Sequence, residues 1–335
     1  MRRASVVGVL ISLLVVAGGQ PFAANEASVK LRMAVNEPQG GGPKPKALAY
    51  FADEVKKRSQ GKIEIVIGWS ESFVKQGDMT TATADGIVQL ASPSVAAAST
   101  LAPALNVFTV PMFFRSSAEY LKLAQQTDAF SKVEKDLEDK NLVVLGWGDY
   151  GAREICTSKK EVKTAADLKG MKIRTQASPA IVETWKNWGV IPVAMGAGEV
   201  PTALESGVID GIDFALTAIK PFGLQDFVKF ITISDHSISP EFIIVNKAAF
   251  EKLSPDQRKI LRESTKAAVA EWENAKAAEA TTIVADLQKA KIQFVTLSGS
   301  DRAKLAAAAK PVIDREVAKY PSLQYLVKVA DNIRK

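Results

Sequence analysis

The chain contains few residues that could carry out catalysis. It has one cysteine, Cys156, and one histidine, His236, among its 335 residues. A nucleophile paired with a general base would have to use that histidine, and a zinc site would lack a second histidine or cysteine. The sequence also contains no Gly-x-Ser-x-Gly elbow, P-loop or His-Glu-x-x-His pair. We therefore expect a protein that is not an enzyme and needs no cofactor, with Cys156 and His236 in structural roles.

Arg174 is the strongest candidate for binding chemistry. It lies at the carboxyl end of a predicted strand, 171–175, and the carboxyl ends of strands in α/β sheets border the ligand site. A guanidinium group holds a carboxylate through two parallel hydrogen bonds. This predicts that Arg174 binds a ligand carboxylate. The alternative is a surface arginine, or one paired with Glu199 or Asp210.

Three further residues are candidates for the opposite wall of a cleft. Trp69 follows a predicted strand, 63–67, where the chain leaves the sheet, so its indole could cover a ligand; packing in a core is an equally good interpretation. Glu37 follows the first predicted strand. Glu241 could hold a cation beside the ligand together with Asp213, although hard cations need several oxygens and no dense acidic cluster occurs. A structural carboxylate is the alternative for Glu241.

The elements that would position these residues alternate between strands and helices. Alternating apolar residues predict strands at 29–35 and 63–67, and the spacing of Leu48, Phe51 and Val55 predicts a helix between them. This βαβ order is typical of an α/β sheet with parallel neighbours. Further alternating segments predict a second α/β lobe in the middle of the chain.

The carboxyl-terminal part is mainly helical. After Ser254 and Pro255, no glycine or proline occurs until Gly299. A single helix over 255–291 would run roughly 54 Å, so we expect it to brace both lobes. A coiled-coil helix is the rival interpretation, though no heptad pattern supports it. A further helix is predicted at 301–319, interrupted near Pro311.

The amino-terminal segment predicts export. Two arginines precede an apolar run at 6–17, and small residues follow, which is the order of a secretory signal peptide. We assign the signal peptide to residues 1–25; a membrane anchor or a buried helix is the alternative. The 43 basic and 37 acidic residues are interleaved, without the basic stripe of a nucleic-acid-binding protein. We expect an exported protein with no nucleic-acid partner.

Six segments resemble the solute-binding subunits of tripartite ATP-independent periplasmic (TRAP) transporters, of the DctP type. The most specific match is Asp-Leu-Lys-Gly-Met-Lys-Ile-Arg at 167–174. The other five segments lie at 51–63, 110–114, 151–153, 189–211 and 245–254. The resemblance extends from about residue 28 to the end of the chain.

The resemblance implies an α/β, two-lobed, periplasmic-binding-protein-like fold with a ligand cleft between the lobes and a long bracing helix. The implied first lobe comprises 28–150 and 240–280. The implied second lobe comprises 151–239 and 281–335, and the helix at 255–291 spans both. The implied function is capture of a small organic carboxylate by cleft closure, followed by delivery to a small and a large membrane subunit. The protein is expected to be a monomer or a dimer.

The resemblance also assigns roles to residues. Arg174 matches the arginine that holds the ligand carboxylate in the family. Arg153 matches a residue that makes a second contact, with an inter-lobe salt bridge as the alternative. Asp213 and Phe214 depart from the polar residues of many members and are similar to the acidic–aromatic pair of 2-oxo-acid binders, some of which hold a cation. This favours a 2-oxo acid or another monocarboxylate with a modest apolar part over a sugar acid.

Two other functions stay open on the sequence alone. One is a binding subunit of a different transporter or receptor with a similar scaffold. The other is a secreted enzyme that uses a cleft carboxylate such as Glu199 or Asp210.

Overall fold

The computed structural model describes residues 28–334; the predicted signal peptide, 1–25, lies outside the described residues. The strands are β1 (Val29–Ala34), β2 (Ile63–Gly68), β3 (Leu90–Ala91), β4 (Leu142–Thr157), β5 (Lys172–Thr175), β6 (Ile191–Ala194), β7 (Gly211–Ala215), β8 (Phe230–Asn246) and β9 (Gln293–Thr296). The α-helices are α1 (Pro43–Arg58), α2 (Met79–Ala84), α3 (Val95–Ala98), α4 (Ser117–Gln126), α5 (Ser131–Glu138), α6 (Pro179–Asn187), α7 (Val200–Glu205), α8 (Leu216–Ile219), α9 (Lys247–Glu251), α10 (Pro255–Ala280), α11 (Ile283–Lys289), α12 (Gly299–Lys319) and α13 (Pro321–Arg334).

One sheet runs through both halves of the described chain. Its strand order is β2-β1-β3-β8-β4-β7-β5-β6, and β9 pairs with β8 outside that path. The long strands β4 and β8 pair antiparallel at the centre. On one side β1 is parallel to β2 and β3, and on the other β5 is parallel to β6 and β7. We call the β1–β3 side the first lobe and the β5–β7 side the second lobe; the predicted two-lobed α/β fold is confirmed.

The first βαβ unit forms as its sequence pattern predicts. Pro43 occupies the first turn of α1, where its missing N–H costs no hydrogen bond. Leu48, Phe51 and Val55 are fully buried along one face of the helix. They pack with β1 and β2 residues in one hydrophobic cluster, and this packing fixes the helix on the sheet.

The bracing helix is shorter than predicted. Ser254 caps α10, since its hydroxyl accepts a hydrogen bond from the Gln257 backbone at 3.2 Å. The prediction of one helix over 255–291 was wrong at its carboxyl end, because α10 ends at Ala280 and α11 is a separate helix. Thr281 and Thr282 lie at the break and donate their hydroxyls to carbonyls three residues earlier. Such local bonds compete with a continuing helix.

Two glycines allow α10 to lie directly on the shared strand β4. A Cβ atom at Gly146 would lie 2.8 Å from Thr265, and one at Gly148 would lie 2.7 Å from the Trp272 ring. The helix also packs on α1 and reaches α8. The brace therefore contacts both lobes, as predicted, despite its shorter length.

The last two helices differ from the prediction. Helix α12 continues through Pro311 without the predicted interruption; the proline is exposed, so water can solvate the carbonyl group that its ring leaves unpaired. In α13, Leu323 and Leu326 pack in a cluster with Phe108 and Phe130 of the first lobe, whereas the predicted division gave 281–335 to the second lobe. The other lobe boundaries stay a prediction. Among residues 28–334, no helix combines the length and apolar character of a membrane span.

Candidate ligand-binding cleft

Two adjoining cavities lie between the lobes. The outer cavity measures about 780 Å³, a volume typical of small-molecule sites. The inner cavity measures about 30 Å³. Both are lined by Asn36 and Gln76 from the first lobe and by Arg174 and Gln176 from the second. Arg174 therefore lies where the two cavities meet.

Arg174 is a buried cation with no acidic partner among the described residues. Its side chain is 2% exposed, and its Nε and Nη2 donate to the Met195 carbonyl oxygen at 3.1 and 2.8 Å. The alternative partners Asp210 and Glu199 accept hydrogen bonds from backbone N–H groups of other residues. The structure does not support the interpretation of Arg174 as a surface arginine or as the partner of either carboxylate.

The charge of Arg174 makes the cleft suited to an anion. Burial, together with the neighbouring Arg153 guanidinium, lowers the pKa of Arg174 to about 9, so the group stays protonated at neutral pH. A buried charge is costly unless an opposite charge pairs with it. A ligand carboxylate that enters either cavity can supply that opposite charge.

Arg153 is held in an ion pair. Its Nε donates to Asp213 Oδ1 at 2.6 Å, its Nη2 donates to the Asp213 backbone oxygen, and its Nη1 donates to Ser239 Oγ at 3.1 Å. Burial alone would raise the pKa of Asp213, but Arg153 and His236 hold it well below its usual range. The pair joins β4 to its neighbour β7 within the second lobe. Arg153 lines the inner cavity, and its predicted contact with the ligand stays a prediction.

His236 and Cys156 have the structural roles predicted for them. The fully buried His236 ring lies 3.2 Å from Asp213 through Nε2 and 2.7 Å from Ser234 Oγ through Nδ1. Glu154 accepts the backbone N–H of Ser234 at 2.6 Å, and burial raises the pKa of Glu154 to about 6. Cys156 is a free, buried thiol.

Phe214 contributes an apolar ring to the inner cavity, and its predicted contact with the ligand stays a prediction. Its side chain is buried and lines that cavity. The guanidinium carbons of Arg153 and Arg174 lie 5.9 and 5.7 Å from the centre of its ring, within the range of cation–π attraction. The ring therefore lies within reach of both guanidinium groups.

The wall opposite Arg174 contains a lysine that the sequence analysis missed. Lys44 is fully buried, and its Nζ donates to Glu241 Oε2 at 2.6 Å and to Glu37 Oε1 at 3.0 Å. Glu37 also accepts the Tyr150 hydroxyl at 2.6 Å. Glu37, Glu241 and Tyr150 line the inner cavity. We call Glu37, Lys44 and Glu241 the first-lobe cluster.

The two glutamates of the first-lobe cluster share one lysine. Burial raises the pKa of Glu241 to about 7; Lys44 opposes this shift and the charge of Glu37 adds to it. Burial would lower the pKa of Lys44, but the two carboxylates hold it above its usual value. Lys44 therefore stays protonated, and Glu241 can change its protonation near neutral pH.

Trp69 and the predicted cation site lie outside this arrangement. Trp69 is half-buried and packs on the hydrophobic cluster under β1 and β2; it lines neither cavity. Asp213 and Glu241 belong to two different ion pairs, with Arg153 and with Lys44, and the cation site considered for them stays a prediction. Within residues 28–334 no three His, Cys, Asp or Glu side chains group closely enough to hold a metal ion.

A hydrogen bond between Gln76 and Ala197 crosses the cleft. The Ala197 backbone N–H of the second lobe donates to Gln76 Oε1 of the first lobe at 3.3 Å. Ala197 begins a 3-10 helix, Ala197–Glu199, two residues after the carbonyl of Met195 that holds Arg174. The segment that positions Arg174 is therefore in contact with both lobes.

Comparison with known proteins identifies the family of this chain. A family profile described as bacterial extracellular solute-binding protein, family 7 (DctP), matches residues 35–319. A solute-binding protein of Chromohalobacter salexigens is 28% identical over 290 residues, covering 85% of this chain and 84% of that protein. The 2,3-diketo-L-gulonate-binding periplasmic protein YiaO of Escherichia coli is 27% identical over 289 residues, covering 86% and 87% of the two chains.

A solved structure agrees with the family match. The crystal structure of a TRAP periplasmic solute-binding protein from Citrobacter koseri with bound D-glucuronate has a TM-score of 0.84 and 28% identity, covering 91% of this chain and 99% of that one. Because the family profile spans most of the sequence, the chain belongs to the DctP family of TRAP transporter solute-binding proteins, whose members bind a transported solute and are not enzymes.

Proposed function

We propose that this chain is exported to the periplasm, captures a small organic monocarboxylate between its lobes, and delivers it to the small and large membrane subunits of a TRAP transporter. The signal peptide assigned to residues 1–25 supports export, and family membership supports the two membrane partners. The proposal holds for a monomer or a dimer, since one chain supplies both walls of the cleft.

The protonated guanidinium of Arg174 is the observation that carries the proposal. It is buried at the junction of the two cavities and is hydrogen-bonded only to a neutral carbonyl among the described residues. A carboxylate there would form charge-assisted hydrogen bonds and would neutralise the buried charge. Closure over the ligand is supported by the contact between Gln76 and Ala197, which joins the lobes beside the arginine.

Two classes of monocarboxylate fit this cleft. The apolar ring of Phe214 in the inner cavity favours a 2-oxo acid or another short acid with an apolar part. The outer cavity of about 780 Å³, with polar side chains such as Ser70 and Thr100, favours a longer acid with several hydroxyls. The names of the relatives point to the second class, and 2,3-diketo-L-gulonate combines a 2-oxo group with a sugar acid.

A thermal-shift screen of the mature protein tests this proposal. The panel contains D-glucuronate, D-galacturonate, D-galactonate, pyruvate, 2-oxobutyrate and succinate, with D-glucose as the uncharged control. A ligand at 100 times its Kd adds about 2.7 kcal/mol to the free energy of unfolding, so the melting temperature should rise by several degrees.

The pattern of shifts identifies the ligand class. We expect at least one monocarboxylate to raise the melting temperature of the wild-type protein and to leave that of an Arg174→Met variant unchanged. A shift of equal size in the variant, or a response to glucose alone, would refute carboxylate capture by Arg174. A shift with succinate alone would replace the monocarboxylate class with a dicarboxylate.

A further inference from the structure

The Glu241 carboxylate accepts fewer hydrogen bonds than the Glu37 carboxylate does. Glu37 accepts hydrogen bonds from Lys44 and Tyr150, and the Asn36 amide nitrogen, in the orientation that satisfies its hydrogen bonds, lies 3.0 Å from Glu37 Oε2. Of the two carboxylate oxygens of Glu241, only Oε2 accepts a hydrogen bond from Lys44. No other side chain or backbone N–H between residues 28 and 334 donates to its Oε1. Glu241 therefore brings an unused acceptor to the inner cavity.

The inner cavity connects this acceptor to the carboxylate anchor. Glu241 and Arg174 both line its volume of about 30 Å³, which holds only a group of a few atoms. When a ligand carboxylate binds Arg174, the atoms that enter the inner cavity are the ones next to that carboxylate. The substituent on the adjacent carbon is therefore the part of the ligand that faces Glu241.

We propose that Glu241 is a specificity-determining residue that selects carboxylates with a hydroxyl group on the carbon next to the carboxylate. This inference rests on the proposed function of the same cleft. An ionised Glu241 accepts a hydrogen bond from that hydroxyl and repels the carbonyl oxygen of a 2-oxo acid, which has no proton to donate. A site that needs a donor rejects analogues without one, because its own polar group is left unpaired.

Protonation of Glu241 should weaken the selection. A protonated carboxyl group can donate a hydrogen bond, which would let it pair with the oxygen of a 2-oxo acid at low pH. The charged and titratable groups that face Glu241 come from four elements: Lys44 of α1, Glu37 after β1, Tyr120 of α4, and Tyr150 and Arg153 of β4. Of these, the Glu37 carboxylate already accepts hydrogen bonds from Lys44, Tyr150 and the Asn36 amide.

Calorimetric titration with matched ligands tests the proposal on the wild-type protein. One set is 2-hydroxybutyrate, 2-oxobutyrate and butyrate; the other is D-gluconate and 2-deoxy-D-gluconate. In the set that binds, we expect the hydroxy acid to bind at least tenfold more tightly than its oxo or deoxy analogue at pH 8.5. For the oxo acid this preference should fall at least threefold at pH 5.5.

A matched pair of variants assigns the effect to Glu241. Glu241→Gln should reduce the pH dependence of the preference, since the amide donates and accepts at every pH. Glu64→Gln changes a strand glutamate that pairs with Lys30 at 3.2 Å on the surface, and it should keep the wild-type preference.

The outcomes distinguish this inference from the function on which it rests. One outcome is that carboxylates with and without the hydroxyl group bind the wild-type protein with equal affinity. In that case the inference that Glu241 selects hydroxy acids is wrong, and the proposed function stands. Equal preferences in Glu241→Gln and the wild type also overturn it. If no carboxylate in either set or in the thermal-shift panel binds, both proposals fail.

Discussion

Replacing Arg174 with methionine should separate ligand binding from folding. The variant loses the two hydrogen bonds to the Met195 carbonyl oxygen, a cost of about 1.5–3 kcal/mol for each bond to a charged group. It also removes a buried charge, whose desolvation penalty is several kcal/mol. Because these two effects oppose each other, we expect the free energy of unfolding without ligand to stay within about 1 kcal/mol of the wild type or to rise.

The same change should remove most of the affinity for a carboxylate. Loss of one buried, charge-assisted contact costs about 2–5 kcal/mol of binding free energy, which corresponds to a roughly 30-fold or larger increase in Kd. Urea denaturation gives the free energy of unfolding, and calorimetric titration with the carboxylate found in the screen gives Kd. A folded Arg174→Met protein with near-normal affinity would refute the reasoning.

Arg153→Met is the matched comparison, because Arg153 is also a buried arginine beside Phe214. Its guanidinium pairs with Asp213, so its removal leaves that buried carboxylate without its arginine partner and with the His236 ring 3.2 Å away. We expect a loss of about 3–5 kcal/mol in the free energy of unfolding. Equal stability of the two arginine variants would show that their different pairing has no energetic consequence.

Three other perturbations test separate parts of the structure. Gly148→Ala places a methyl group 2.7 Å from the Trp272 ring and should lower the free energy of unfolding by about 1–3 kcal/mol, whereas Gly299→Ala, with open space at its Cβ position, should lower it much less in the same urea titration. Burial raises the pKa of Glu241 to about 7 and that of Glu154 to about 6, so the folded state binds more protons than the unfolded state above pH 4.5. The free energy of unfolding should therefore fall as the pH rises from 4.5 to 7; a rise over that window in thermal melts without ligand would contradict the shifts. Gln76→Ala removes the hydrogen bond across the cleft and should speed ligand dissociation about fivefold in stopped-flow fluorescence; an unchanged rate would mean that this bond does not hold the cleft closed.

The parts of the fold that follow from local sequence patterns were predictable. Alternating apolar residues predict the two strands of the βαβ unit, and the spacing of Leu48, Phe51 and Val55 predicts its helix. These three helix residues are buried as expected. The end of the bracing helix was missed, because threonines at 281 and 282 are only weak helix breakers. Their hydroxyl bonds to the preceding turn become visible only in the structure.

The second-lobe side of the cleft was more predictable than the first-lobe side. Arg174 was found from its place at a strand end and from a family motif. Lys44 was missed because a lysine between two prolines has the appearance of a solvated charge. Its spacing from Leu48, Phe51 and Val55 puts it on the buried face of α1, and this was the available signal.

The first-lobe cluster itself could not be derived from the sequence. Lys44 is seven positions from Glu37 and 197 positions from Glu241, and only the sheet brings the two carboxylates to one lysine. Trp69 was a reasonable candidate on position alone, but its packing on the first-lobe hydrophobic cluster depends on neighbours that are distant in sequence. The pairing of Arg153 with Asp213 likewise depends on the register of β4 against β7.

The most direct test of carboxylate capture is a crystal structure of the mature protein grown with the acid that gives the largest thermal shift. We expect the acid between the lobes, with carboxylate oxygens about 2.7–2.9 Å from nitrogens of the Arg174 guanidinium. An acid bound elsewhere, or one in the cleft whose carboxylate turns away from Arg174, would contradict the account.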